Sequence, residues 1–196
     1  MAQAQLVRQI AVQKQEQEQQ IKQEQSFQLV QTLLAASIGS LAFLRGLFPE
    51  ECFIKFRYLP EHAESYRAFS NGKPSTSGRW EHGMTITRLQ RGVIATADKL
   101  LEFLERGVFK AIEDGYLKAL QLGIYIDEEH PEVVLESYTF SFVYRNEDGV
   151  ALRISNVAGE CVAMNDASKE MRQIIRNLLV ITQDLPALPG ISPRSQ

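Results

Sequence analysis

Polar and apolar positions alternate with different periods along this chain, and the clearest block is VLESYTFSFVY, Val134 to Tyr144. Tyr138, Phe140, Phe142 and Tyr144 are aromatic, while Ser137, Thr139 and Ser141 fill the positions between them. That period of two predicts a strand with one face on a core. Upstream, YLKALQLGIYI puts Leu120, Leu122, Ile124 and Ile126 on one face, and DEEHPE turns it back into the aromatic strand, predicting an antiparallel hairpin.

Elsewhere the period lengthens to that of a helix. From Ser26, read as an N-cap, Phe27, Val30, Leu34, Ile38, Leu41 and Leu44 recur at steps of three and four. Leu29, Leu33, Ala36 and Phe43 add a second stripe, so this helix is predicted to be packed on most sides. Ala35, Ala36, Ser37, Gly39 and Ser40 keep one surface small enough for another backbone to approach, and Gly46 with Pro49 beyond it ends the helix. Arg45 and Gly46, which close it, are read as structural. A second helix is predicted from about Thr96 to Asp114, burying Ala97, Leu100, Leu101, Leu104, Val108, Phe109 and Ile112. A third, about Asp166 to Asp184, carries Met171, Ile174, Ile175, Leu178 and Ile181. Residues 52 to 60 read as a short strand and residues 61 to 83, with SNGKPSTSG, as a loop.

The class predicted is α+β, three helices packed on a small antiparallel sheet. Phe27, Leu34, Leu41, Phe140 and Phe142 are the core it should bury. The predicted hairpin has only two strands, fewer than a stable sheet needs. GVALRISNVAGECVAM is Gly-interrupted and alternates weakly, and Pro186, Pro189 and Pro193 deny a ladder its donors. The sheet therefore looks unfinished, to be completed by downstream sequence or by a strand from another molecule. The free edge beside Leu117 to Ile126 is the predicted partner-binding face.

Residues 1–25 are dominated by Gln, Lys and Glu, with thin apolar positions at Leu6, Val7, Ile10 and Ile21. They read as a solvated helical or disordered extension ahead of a domain spanning 26–189, followed by a tail at 190–196. A net charge of −3 gives no basic footprint for nucleic acid. Cys52 and Cys161 stand far apart, without the spacing of a disulfide framework or a zinc site, which suits a reducing compartment. No apolar run approaches the roughly 18 to 20 residues a membrane span needs, and the Gln-rich N-terminus does not read as a secretion signal.

Candidate chemistry is sparse. Asp127, Glu128, Glu129, His130 and Glu132 contain oxygen and imidazole donors, but neighbours in a turn point apart and a solvated turn is the simpler reading. Cys52 near His62 or His82 lacks any nucleophile-elbow or oxyanion signature, so Cys52 is read as a small core residue and Trp80 and His82 as packing of their loop. Gly78 and Gly83 lack the Lys-Ser/Thr of a phosphate loop. No metal, cofactor or catalytic residue is assigned. Arg172 and Arg176 share one face of the third helix.

Taken together, FQLVQTLLAASIGSLAFLRGLFPEECF, ADKLLEFLERGVFKA, ESYTFSFVY and MRQIIRNLLVITQDLPALP, in that order, resemble the HORMA domain, and within it the meiotic chromosome-axis branch with its fungal members. The resemblance implies a non-enzymatic peptide-binding adaptor. Such domains capture a closure motif of axis proteins or of their own family as an added strand, and a C-terminal belt wraps over it. It further implies a place on meiotic chromosomes in the nucleus, support of recombination and homologue pairing, possible homo-oligomers, and an AAA+ remodelling ATPase. Direct nucleic-acid binding is not expected. Arg176 in IIRNLL matches a helix position that spindle-checkpoint relatives use for dimer contacts, so Arg172 and Arg176 join Leu120, Leu122 and Ile124 as candidate partner-binding residues. The family's last sheet strand and belt follow LPALP, where this sequence has GISPRSQ, and the reading expects both to be missing, along with the zinc-binding chromatin module of many relatives. The alternatives are a mitotic-checkpoint or translesion-polymerase accessory subunit of the same fold, or a beltless variant that binds no peptide.

Overall fold

The computed structural model describes residues 2–58, 65–72, 84–125, 127, 133–145, 149–156, 161–163, 173, 175–180, 182, 185, 186 and 188. Its spine is one helix, α1, running without a break from Ala2 to Leu44. The polar extension and the apolar segment are thus one element, about 65 Å long at 1.5 Å per residue. Ser26 is not its N-cap but lies inside it. There the Ser26 hydroxyl donates to the Val150 carbonyl at 2.9 Å and accepts from the Val150 amide at 2.7 Å. Leu34 and Leu41 are fully buried and Phe27 is half-buried against the core. By length and composition Gln20–Leu44 is apolar enough to cross a membrane, contrary to the expectation from sequence, yet 72% of its most apolar 18-residue stretch is buried inside the protein. The hydropathy is that of a core helix packed all round.

Two antiparallel sheets enclose α1. On one side β1 (Phe53–Tyr58) pairs with β2 (Met84–Leu89), from Phe53 opposite Leu89 to Tyr58 opposite Met84. The β2 strand went unread in the sequence. Between them, the segment read wholly as loop holds α2 (Tyr66–Asn71), whose N-cap Ser65 accepts from the Ala68 amide. The small surface of α1 meets β2. A Cβ at Gly39 would stand 3.3 Å from both the Leu89 nitrogen and the Thr87 oxygen, so the helix can approach this strand because residue 39 has no side chain.

On the other side lies a four-stranded sheet in the order β3-β4-β5-β6, with β3 Ala119–Ile124, β4 Glu136–Arg145, β5 Gly149–Asn156 and β6 Cys161–Ala163. The hairpin of β3 and β4 is as predicted, with Leu120 opposite Phe140 and Leu122 opposite Tyr138. The Gly-interrupted segment, however, supplies β5, paired with β4 from Tyr138 opposite Asn156 to Arg145 opposite Gly149, and then β6. So the aromatic strand has its outer edge covered by the chain's own β5. The alternation of β5 was hidden by the glycines that interrupt the segment, yet Val150, Leu152 and Ile154 are all buried. Gly149 begins it at φ +80, and a Cβ there would lie 2.5 Å from the Ser26 oxygen.

The second predicted helix is present as α3 (Ala95–Glu102), a π-helical segment Phe103–Val108, and α4 (Phe109–Glu113). Ala97, Leu101, Leu104, Val108, Phe109 and Ile112 are buried as read. In the third, residues 175–180 are helical and Ile175 and Leu178 are buried. Met171, Ile174 and Ile181 lie outside the described residues, as do Trp80 and His82 and the acidic turn apart from Asp127. Cys52 is buried, in line with its reading as a core residue.

Phe140 is fully enclosed. Replacing it by Asp should cost several kcal/mol, a large fraction of the stability of a domain this size, and abolish the cooperative melt. Thermal denaturation followed by circular dichroism checks this, and an unchanged melting temperature would refute the placement.

Candidate functional site

The β3 strand is an edge: β4 lies on one side, and among the described strands none lies on the other. Which backbone groups it presents follows from register. The Phe142 amide donates to the Lys118 carbonyl at 2.9 Å, so Lys118 and, two residues on each time, Leu120 and Leu122 turn their polar backbone toward β4. Ala119, Gln121 and Gly123 turn theirs outward. Three residues with N–H and C=O aligned on one free side suffice to template an added strand. The opposite edge, β6, has three residues in all and offers at most two such pairs.

Side chains along this edge divide by face. Ile124 is buried, and Leu120 and Leu122 are half-buried against the core. Three of the sequence-predicted partner-binding residues therefore brace the edge from beneath. On the solvent face Ala119, Gln121 and Gly123 are exposed, with Gln121 donating to the Ser137 hydroxyl at 2.6 Å. Exposed apolar side chains stand at both ends of the strand: Tyr116 before it, and Tyr125 with Val133, Val134 and Leu135 after it. Arg176 is exposed on the last helix, far in sequence from the edge, with Leu179 and Val180 exposed on the same short helical run. Arg172 lies outside the described residues.

A buried ion pair anchors the end of this edge, and sequence reasoning missed half of it. The last residues of α1 form a Schellman turn: the Leu47 amide donates to the Ala42 carbonyl at 2.9 Å and the Gly46 amide to the Phe43 carbonyl at 3.1 Å, with Gly46 at φ +66. That turn aims Arg45 inward. Its Nε donates to Glu136 Oε2 at 2.9 Å and Nη2 donates both to Glu136 Oε1 and, at 2.8 Å, to the Pro186 carbonyl. Tyr138 donates its hydroxyl to Glu136 Oε2 at 2.9 Å. Glu136 is the first residue of β4 and sits opposite Ile124, the last of β3. One guanidinium thus joins the helix end, the hairpin and the segment after the last helix. Glu136 was overlooked because it borders a run of acidic residues that read as solvated turn. The available signal was its position one step ahead of the alternating strand.

Burial first, then the hydrogen bond and charge of Glu136, raise the Tyr138 phenol above its ordinary value. Burial alone pushes Tyr58 up to about 12.

An α+β domain whose central helix is enclosed by two antiparallel sheets, with β3 an edge among the described strands, is the class this geometry defines. The HORMA domain family matches residues 26–192, and the chain belongs to that family. It is 39% identical over 180 residues to the Meiosis-specific protein HOP1 of Saccharomyces cerevisiae, covering 86% of this chain and 28% of that protein. It is 30% identical over 166 residues to HORMA domain-containing protein 1 of Xenopus laevis, covering 85% of this chain and 37% of the relative. The human protein of the same name is 28% identical over 168 residues. The chain spans well under half the length of these relatives.

Two outcomes are expected. Arg45→Ala strands the Glu136 carboxylate in the interior and should destabilise by about 3–5 kcal/mol, whereas Arg45→Met combined with Glu136→Leu should recover most of that loss. Urea denaturation of the single and double variants measures the difference. Because Tyr138 and Tyr58 hold their protons more tightly when folded, their contribution to stability is complete below pH 10 and declines as pH rises through 10 toward 12. Melting temperatures across that range should fall together with the appearance of tyrosinate absorbance.

Proposed function

We propose that this chain is a non-enzymatic adaptor of the meiotic chromosome axis, acting in the nucleus by capturing partner peptides as an added strand along β3. The observation that carries the reading is the six-residue strand β3, unpaired on one side among the described strands, with outward N–H and C=O groups at Ala119, Gln121 and Gly123. A captured peptide gains affinity from main-chain bonds to this edge and selectivity from side chains beside it. Tyr116 and Tyr125, exposed at its two ends, supply apolar contacts, while Leu120, Leu122 and Ile124 hold the strand rigid from below. The similarity to a protein named meiosis-specific favours the axis over a mitotic-checkpoint or translesion-polymerase role.

Closure motifs of axis proteins, or of a second family member, are the partners this reading assigns, and through them the domain supports recombination and homologue pairing. Arg176, on the last helix, and Arg172 are assigned to contacts between family members, with an AAA+ ATPase as the remodelling partner.

Gln121→Pro tests it. The Gln121 amide points away from β4, so proline there removes an outward donor and leaves the ladder to β4 intact. The variant should melt within a few degrees of the parent, yet lose the proteins that the parent chain retrieves from cells entering meiosis, identified by mass spectrometry. Recovery of the same axis proteins by a folded Gln121→Pro variant would overturn capture along β3. Recovery of checkpoint or polymerase subunits by the parent would overturn the axis assignment.

A further inference from the structure

On the face of α1 turned away from the four-stranded sheet, a cleft of about 380 Å³ opens between α2, β2 and the π-helical segment. Its wall holds an unusual charge. Arg88 is 7% exposed and no carboxylate among the described residues pairs with it. Two of its nitrogens donate to main-chain carbonyls, Nη1 to Phe69 and Nη2 to Gly72, the latter at 2.8 Å. Its Nε is buried with no hydrogen-bond partner among the described residues, and the guanidinium lies 5.2 Å from the Phe56 ring centroid and 5.8 Å from that of Phe69. Carbonyls and aromatic faces soften a buried cation without neutralising it. Burial correspondingly lowers the Arg88 pKa from its ordinary value.

Three more groups surround the mouth. Arg91, half exposed, contacts Glu105 Oε2 at 2.6 Å, and the Tyr66 hydroxyl donates to Glu105 Oε1 at 2.9 Å. Glu105 is placed there by the π-helical segment Phe103–Val108, a wider turn that costs regular hydrogen bonding and recurs at functional sites. Among the described lining residues, two guanidiniums against one carboxylate leave the cleft positive, in a chain whose net charge is −3. Tyr66 and Glu105 also form the wall of a neighbouring depression of about 450 Å³, lined by Gln31, Arg106, Phe109, Lys110 and Glu113. A segment of chain crossing that shared wall can rest in one depression and place a side chain in the other.

We propose that this cleft is a second recognition site, separate from the β3 edge, which receives an oxyanion, carboxylate or phosphate monoester, on a side chain of a partner polypeptide. Arg88, unpaired with any carboxylate among the described residues, supplies a positive field, and Arg91 the reachable donors. Glu105 acts as the internal competitor, holding Arg91 until the incoming anion takes it over.

The test titrates three capped tripeptides, with glutamate, phosphoserine or serine between glycines, into the isotope-labelled chain while the arginine Nε–Hε signals are followed. Glutamate or phosphoserine should move the Arg88 and Arg91 signals saturably and serine should not, and the tighter of the two identifies the oxyanion. Arg91→Gln should weaken that binding roughly two- to fivefold, and Glu105→Gln should tighten it by a similar factor, as removal of one exposed partner permits. Opposite signs from two neighbouring substitutions separate recognition from structural damage, and thermal melts confirm that both variants fold. Gln121→Pro should leave the titration unchanged, so it stands or falls independently of strand capture. The proposal is overturned if neither anion moves the Arg88 signal, if serine moves it equally, or if Glu105→Gln does not tighten binding.

Discussion

The buried pairing of Arg45 with Glu136 is the constraint on which the arrangement of the open edge depends. An ion pair with both partners under a tenth exposed is a poor source of net stability, because desolvation offsets most of its attraction. Its value lies in direction. The guanidinium presents donors in a fixed plane, and here they are divided between a carboxylate at the start of β4 and the carbonyl of Pro186. Any shift of the hairpin relative to the end of α1 leaves a charge unsatisfied in the interior. The end of β3 opposite Glu136 is therefore held at a defined position and angle.

Enclosure of α1 is the complementary device. A helix buried from Val30 to Ala42 on every side serves as the common core of both sheets. Its closeness to each is set by particular small or polar residues, Gly39 against the backbone of β2 and Ser26 against the backbone of β5. The two sheets share this helix and little else. One side is then free to offer a strand edge while the other carries a charged cleft, and the helix between them keeps the two surfaces apart.

Much of this was legible from periodicity. The helices around Leu34 and Leu104 and the hairpin of Leu120 and Phe140 each have an apolar face long enough for its period to stand out, because burial on one face dictates residue type at fixed intervals. The edge at β3 was also legible, since a hairpin strand must have an outer side. What escaped was short or depended on partners. The β2 strand has six residues and earns its place only by pairing with β1, and β5 was masked by the glycine that the turn into it requires. Ser26 looked like a cap because serine before an apolar run usually is one, and nothing local reveals a partner at Val150, 124 residues away.

The same division holds for the sites. Residue order alone determined the class of fold, the core and the run of family motifs, because these rest on local patterns repeated over many residues. Only the tertiary structure decided that Arg45 meets Glu136, that Leu120 and Leu122 brace the edge while Gln121 presents it, and that Arg88 is buried with no carboxylate partner among the described residues. Such pairings join positions tens of residues apart, and a single charged side chain carries no period by which a distant partner can be read.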